Sequence, residues 1–403
     1  MIPAALRARI LRGVMVCLAC GLAQRLPADE ASRLRAELSR GLQQGLPSIS
    51  IAIATKRGVV FSEAIGQRDL ATHAAADPGE LYGIGSITKT FVACVIEQLV
   101  DEGRLSLDAK AGDLLGSEAI AAVPNADRAT VLELLNHTSG VPSWEFDRDW
   151  IRHGRGAAFE IGHFWGKADT LDYLRHGRDP PANEPGKGYA YSNTNYTLLG
   201  LIIEKVTGHE AVSEVHRRVL DPLGLSDIRF EGFEPIDARR LPSRYQFFTA
   251  EYRRAAGVHP LFNRVSPALI DVSRSNLSVE WTAGAMLATM RDLALFMRAL
   301  RDGRVVSRTA LGRMQTFGAT DDPDEEMGQG LARDRYGAET LIGYSGNVFG
   351  FGAVAGWVQG DDVVIALATN AGAMHAGESA CTLEKLLKRT GIIRAARSLA
   401  KKL

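Results

Sequence analysis

The chain has 403 residues, 46% of them hydrophobic and 23% charged, which excludes disorder over most of its length and leaves room for one large core or two smaller ones. Lysine plus arginine equals aspartate plus glutamate at 47 each. The overall charge therefore draws the chain neither to nucleic acid nor to an anionic membrane, and a charge-based partner would need a local patch.

The N-terminus differs from the rest. Arg7, Arg9 and Arg12 precede the short apolar run GVMVCLACGLA, and no acid occurs before Asp29, the layout of a secretory signal peptide. Gly21 and Ala23 suit the small-residue positions before a cut, which predicts a signal over 1–23, a mature domain over 24–403 and a periplasmic or secreted location. The alternative is an amphipathic N-terminal helix. Lipid attachment at Cys20 is a third reading, for which Cys17-Leu18-Ala19 is a poor context. No later stretch is long and apolar enough to span a bilayer, so no stable membrane span is expected after signal removal. With the signal removed, only Cys94 and Cys381 remain, too few for a disulfide framework. Cys94 lies in an apolar helical run and reads as a small buried side chain. The nine histidines show no HExxH spacing and no Cys/His cluster, so neither a metal nor another cofactor is expected.

Residues 29–46, DEASRLRAELSRGLQQGL, have helical periodicity, and 48–66, SISIAIATKRGVVFSEAIG, read as two strands about a Lys-Arg-Gly turn. Helical spacing then dominates the middle, in TKTFVACVIEQLVDEG (88–103), TVLELLNH (130–137), NTNYTLLGLIIEKVTG (193–208) and TAGAMLATMRDLALFMRALRDG (282–303). Residues 144–179 read as a surface loop rich in charge, aromatics and glycine, and 320–330, TDDPDEEMGQG, as a solvated acidic loop. At the far end, 349–372 give two strands about Gln359-Gly360-Asp361-Asp362, and 379–402 a closing helix. The expected fold is α/β (α+β). An antiparallel sheet is built from both chain ends and flanked by helices (sheet lobe about 28–85 and 285–403), with an inserted helical lobe (about 86–284) and a cleft between them.

ELYGIGSITKTF, residues 80–91, puts Ser86 and Lys89 three apart at a helix start, on one face. The free amides of a first turn favour negative charge on an attacking serine oxygen, and a desolvated lysine loses its proton readily enough to act as a base. A plain capping serine is the alternative. Tyr191-Ser192-Asn193 lies in a glycine-flanked loop just before a helix, where Tyr191 could exchange protons with the serine and Asn193 could orient the lysine and a substrate carbonyl. Tyr191 as a hydrogen-bonded core tyrosine is the alternative. Tyr344-Ser345-Gly346-Asn347 precedes the C-terminal hairpin, and Gly346 would let a substrate lie along the strand. The backbone N–H groups of Ser86 and Asn347 would form an oxyanion hole.

S-x-x-K, then Y-S-N, then a Y-S-G strand, in this order and spacing, resemble the penicillin-recognising serine hydrolases: class C β-lactamases, D-alanyl-D-alanine carboxypeptidases and D-aminopeptidases. The likeness extends through LYGIGSITKTFVACVIEQLVDEGRLSLD, VLELLNHTSGVP, GYAYSNTNYTLLGLIIEKVTG and TAGAMLATMRDLALFMRAL, so it covers nearly the whole mature chain. It implies a β-lactamase/transpeptidase-like fold with Ser86 as the acylated nucleophile, Lys89 as base or proton partner, Tyr191 as second acid/base and Asn193 as an orienting residue. The departure is Tyr344, where such enzymes usually carry histidine or lysine. Tyrosine removes that cation and keeps a hydroxyl donor. This argues against efficient β-lactam hydrolysis and strict recognition of a free carboxylate, and leaves acyl transfer intact. His137, in NHTSG, reads as a supporting residue because the Lys/Tyr pair already supplies proton transfer. The expected activity is hydrolysis of a small peptide or amide, one with D- or non-standard residues, through a Ser86 acyl-enzyme. An esterase or transacylase of the same fold and a non-catalytic sensor are the rival readings.

Overall fold

The computed structural model of the chain describes residues 28–176 and 179–403. The predicted signal, with Cys17 and Cys20, lies outside the described residues. The main sheet has nine strands: β1 (Ser48–Thr55), β2 (Gly58–Asp69), β3 (Ala74–Ala75), β4 (Gly318–Ala319), β5 (Glu325–Met327), β6 (Ala332–Tyr336), β7 (Glu339–Val348), β8 (Phe351–Val358) and β9 (Val364–Thr369). Their order is β3-β2-β1-β9-β8-β7-β6-β5-β4, antiparallel throughout. The expected sheet from both chain ends is thus closed at the β1–β9 seam, where Ser50 faces Ala368 and Ala54 faces Val364. Every residue of β1 is buried, so both faces of the sheet are covered there.

Six of the described helices that bear on the sheet and the cleft are α1 (Ala28–Gln43), α2 (Thr88–Asp101), α3 (Asn193–Thr207), α4 (Met290–Arg301), α5 (Leu383–Arg389) and α6 (Ile392–Lys402). Ala31, Leu34 and Leu38 form the buried stripe of α1. It lies so close to β1 and α5 that a Cβ on Gly41 would fall 2.5 Å from Ile49 and 2.8 Å from Leu386. α1 also packs on α6, with Lys402 bonded to Glu30 at 2.7 Å, while α4 packs on β1, β8 and β9.

Four local expectations need correction. The closing helix is two helices, because Thr390 is extended and the Gly391 N–H donates to the Glu37 carboxylate at 3.0 Å instead of continuing the ladder. Residues 282–303 are a short helix (Trp281–Gly284), a strand (Met286–Ala288) and α4, whose first turn is capped by Thr289. The region expected as a surface loop over 144–179 holds a helix at Arg148–Arg155, capped by Asp147, and buries Trp144, Trp150 and Arg155 completely. The acidic stretch exposes only Asp321–Pro323, and its later part forms β5. Cys94 is buried and unbonded, as expected. The inserted region also carries strands. Ile228–Phe230 pairs with Met286–Ala288, which pairs in turn with Tyr82–Gly83, and Tyr245–Phe247 pairs with Ala371–Gly372. Three-residue strands leave too little alternation to be read from sequence.

Candidate active site

Ser86 sits in a 3₁₀ turn, Gly85–Ile87, immediately before α2, and makes no capping bond to that helix. Its hydroxyl is directed elsewhere. Ser86 Oγ shares a 2.6 Å hydrogen bond with the Tyr191 hydroxyl and lies 2.9 Å from Lys89 Nζ. Lys89, one helical turn on and fully buried, also reaches Asn193 Oδ1 (2.7 Å) and the Ala283 carbonyl (2.7 Å), with the Tyr191 and Tyr196 rings 5.1 and 5.5 Å away. Asn193 is the first residue of α3. That helix passes so near Trp281–Gly284 that a Cβ on Gly200 would fall 2.4 Å from Thr282 Oγ1, and Thr282 in turn bonds the Tyr196 carbonyl at 2.8 Å. Trp281 takes a positive φ of 37°, uncommon for a non-glycine residue, and the turn that follows presents the Ala283 carbonyl to the lysine.

Burial pushes Lys89 down to about 7, against the opposing pull of Glu145 and Glu280. Burial likewise pushes Glu145 up to about 7, with Glu280 adding to it. Glu145 accepts from Asn193 Nδ2 at 2.8 Å and from Ser143 Oγ at 3.2 Å. Asn193 must therefore turn its oxygen toward the lysine. Glu280 is itself paired with buried Arg155. Burial and the Glu145 charge hold Tyr191 well above the usual phenol range, so its hydroxyl is neutral.

The strand predicted to flank the nucleophile does so. A Cβ on Gly346 would fall 2.0 Å from the Ile84 carbonyl and 2.8 Å from Ser86 N, and one on Gly85, whose φ is +52°, would fall 3.0 Å from Asn347 N. Only glycines allow this approach. Pairing of β7 with β6 ends at the Ala332–Gly343 pair, which leaves the edge of residues 344–348 open beside Ser86. The Asn347 side chain is drawn to Glu384 (3.0 Å). Tyr344 is buried in the wall of the cleft, with its hydroxyl 3.4 Å from His137 Nε2. His137 Nδ1 accepts from the Ser192 N–H at 3.1 Å, so its ring proton sits on Nε2 and faces the Tyr344 oxygen. The imidazole stacks on Tyr191 with centroids 4.4 Å apart. Burial and Lys89 hold it neutral, in the supporting position expected for it.

The cavity over Ser86 is lined by Glu145, Phe146, Tyr191, Glu325, Tyr344, Ser345, Asn347, Met374 and His375. Every predicted site residue is gathered here or in contact with it. Sequence reasoning missed Glu145, Glu325, His375 and the Ala283 carbonyl. Glu145 left one usable signal, a lone acid between two aromatics in VPSWEFD. Glu325 is hidden in the acidic run, and a backbone carbonyl leaves no signal at all.

A family model described as Beta-lactamase matches residues 23–387. Among solved structures, a D-stereospecific amidohydrolase from Streptomyces sp. is 27% identical, with a TM-score of 0.74 over 89% of this chain and 98% of that one. A D-amino acid amidase from Ochrobactrum anthropi SV3, complexed with D-phenylalanine, reaches a TM-score of 0.78 at 24% identity over 93% of this chain and 99% of that one, a likeness of fold alone. Among curated proteins, Protein flp of Staphylococcus aureus is 29% identical over 208 residues, 51% of this chain and 40% of its own length. The unguisins hydrolase ungD of Aspergillus violaceofuscus is 26% identical over 210 residues, 50% of this chain and 35% of its own length. The chain thus aligns with well under half the length of these curated relatives.

Proposed function

The chain belongs to the Beta-lactamase family, and on that premise we propose that it is a serine amidohydrolase working through an acyl-enzyme on Ser86. The observation that carries this reading is the single hydroxyl met by both Lys89 (2.9 Å) and Tyr191 (2.6 Å). When Lys89 is neutral, its two hydrogens go to Asn193 Oδ1 and the Ala283 carbonyl, groups that accept only, and its lone pair is left for the Ser86 proton. The Lys89–Tyr191 pair takes that proton as Oγ bonds to the substrate carbonyl carbon, and returns it to the leaving nitrogen as the C–N bond breaks. The backbone N–H groups of Ser86 and Asn347 hold the oxyanion. Water then repeats the sequence on the acyl-enzyme and frees Ser86.

The substrate we propose is a small peptide or amide with D- or non-standard residues. Support comes from relatives whose names specify D-stereospecific amide hydrolysis or hydrolysis of unguisins. An ester reading has one feature in its favour, Phe146, which is 63% exposed at the cleft and offers an apolar wall to an acyl chain. A non-catalytic sensor has no chemical need of Lys89, Tyr191, Asn193 and Glu145 assembled around one serine. We also propose an exported enzyme, on the strength of the N-terminal pattern.

A fluorescent phosphonate, followed by digestion and mass spectrometry, tests the mechanism. The adduct is expected on Ser86, and Ser86→Ala should lose labelling and at least about 10³-fold in kcat. An adduct elsewhere, or undiminished turnover by the variant, overturns it. Turnover of D-amino-acid anilides is expected too; reaction with short p-nitrophenyl esters alone would replace the amidase reading by the esterase one.

A further inference from the structure

The lining of the catalytic cleft is acidic. Among the described residues lining it are two carboxylates, Glu145 and Glu325, and no lysine or arginine. His375 adds no charge, since burial near Arg155 pushes its imidazole down to about 4. Where the family resemblance implies a cation on the strand, Tyr344 supplies a neutral hydroxyl. The two acids differ in what they hold. Glu145 is engaged by Asn193 and Ser143, whereas the side chain of Glu325 receives one hydrogen bond among the described residues, from Thr320 at 3.3 Å.

Burial, followed by the Asp322 and Glu384 charges, raises the proton affinity of Glu325, with Lys388 opposing them. The strand neighbour of Glu325 across the ladder is Asp334, whose carboxyl is pushed up to about 7 by burial and then by the Glu325 and Glu384 charges. The nearby ammonium of Lys388 is spent on Asp324 and Asp322, at 3.1 and 3.6 Å. No grouping of three or more acids, histidines or cysteines among the described residues could hold a metal ion. The ionised Glu325 carboxylate would attract an organic cation and repel a carboxylate arriving beside it.

We propose that Glu325 is a specificity-determining residue: it selects substrates carrying an ammonium or guanidinium group on an arm beside the scissile amide and turns away arms that end in a carboxylate. This rests on Ser86 being the acylated residue. An incoming cation would share the Glu325 carboxylate in a charge-assisted hydrogen bond.

The test uses the purified full chain and three phosphonates with one reactive core, whose side arm ends in an ammonium, a methyl or a carboxylate. The second-order rate of Ser86 labelling is read by mass spectrometry. The ammonium probe is expected to label at least about tenfold faster than the carboxylate probe. Glu325→Gln should bring that ratio to about threefold or less, and raising salt from about 0.05 to about 0.5 M should compress it in the unaltered protein. Equal rates for the two charged probes overturn the proposal while Ser86 labelling by the methyl probe still upholds the serine mechanism. A ratio indifferent to both Glu325→Gln and salt also overturns it, and the salt series decides alone if the variant does not fold. Absence of Ser86 labelling by every probe overturns both readings.

Discussion

Lys89 holds one amine against three oxygens, and the protonation of that amine sets whether Ser86 can attack. Since burial brings Lys89 down to about 7, kcat/KM for an uncharged amide should rise with pH through a midpoint near 7, as the ammonium gives way to the amine that accepts the serine proton. Glu145 opposes this shift, because its negative charge favours the ammonium. Glu145→Gln keeps an acceptor for Asn193 Nδ2 but removes the charge, so the rising limb should move to lower pH, by about one pH unit. A pH–rate profile of the variant checks both sign and size; a limb displaced to higher pH would contradict this account of the lysine. At this scale the site is unevenly legible. Ser86 and Lys89 are three apart and announce themselves. Tyr191 and Asn193, about a hundred residues away, are tied to them in sequence only through the family pattern. Glu145 matters because it orients an amide 48 residues downstream, a relation no local spacing encodes.

At the scale of elements, strand β7 and the Gly85–Ile87 turn meet through two glycines, and the closeness of that contact sets where Ser86 stands. Gly346→Val would drive a side chain into the Ile84 carbonyl and Ser86 N. It should cost about 1–3 kcal/mol of stability and, by displacing the nucleophile, at least about 100-fold in kcat/KM. Thermal unfolding and phosphonate labelling of the variant measure the two effects separately. Elements with long apolar periodicity, α1, β1, β2, α2 and α3, were readable from sequence because burial pattern and chain period coincide. The breaks were not. The stop between α5 and α6 depends on a carboxylate of α1, and the fold of residues 144–176 depends on burying Trp144 and Trp150 against distant segments. Surface-like composition there masks the tertiary packing of a few large side chains.

On the scale of the whole molecule, α1 and α6 bring the two ends of the described chain together, with Lys402 and Glu30 in contact. A circular permutant joining residue 403 to residue 28 by a short glycine-serine linker, and opened at the exposed turn Asp321–Pro323, should therefore keep the sheet and the cleft. Far-UV circular dichroism and Ser86 labelling within about threefold of the parent rate are the expected results; a permutant that is soluble but unlabelled would show that strain at β5 reaches the nucleophile. The β1–β9 seam has a separate consequence for biosynthesis. β1 leaves the ribosome roughly three hundred residues before its partner, paired as Ser50 with Ala368. Its edge toward β9 must wait through that stretch without a mate, which favours slow, late closure of the sheet and exposes the nascent chain to aggregation until β9 emerges.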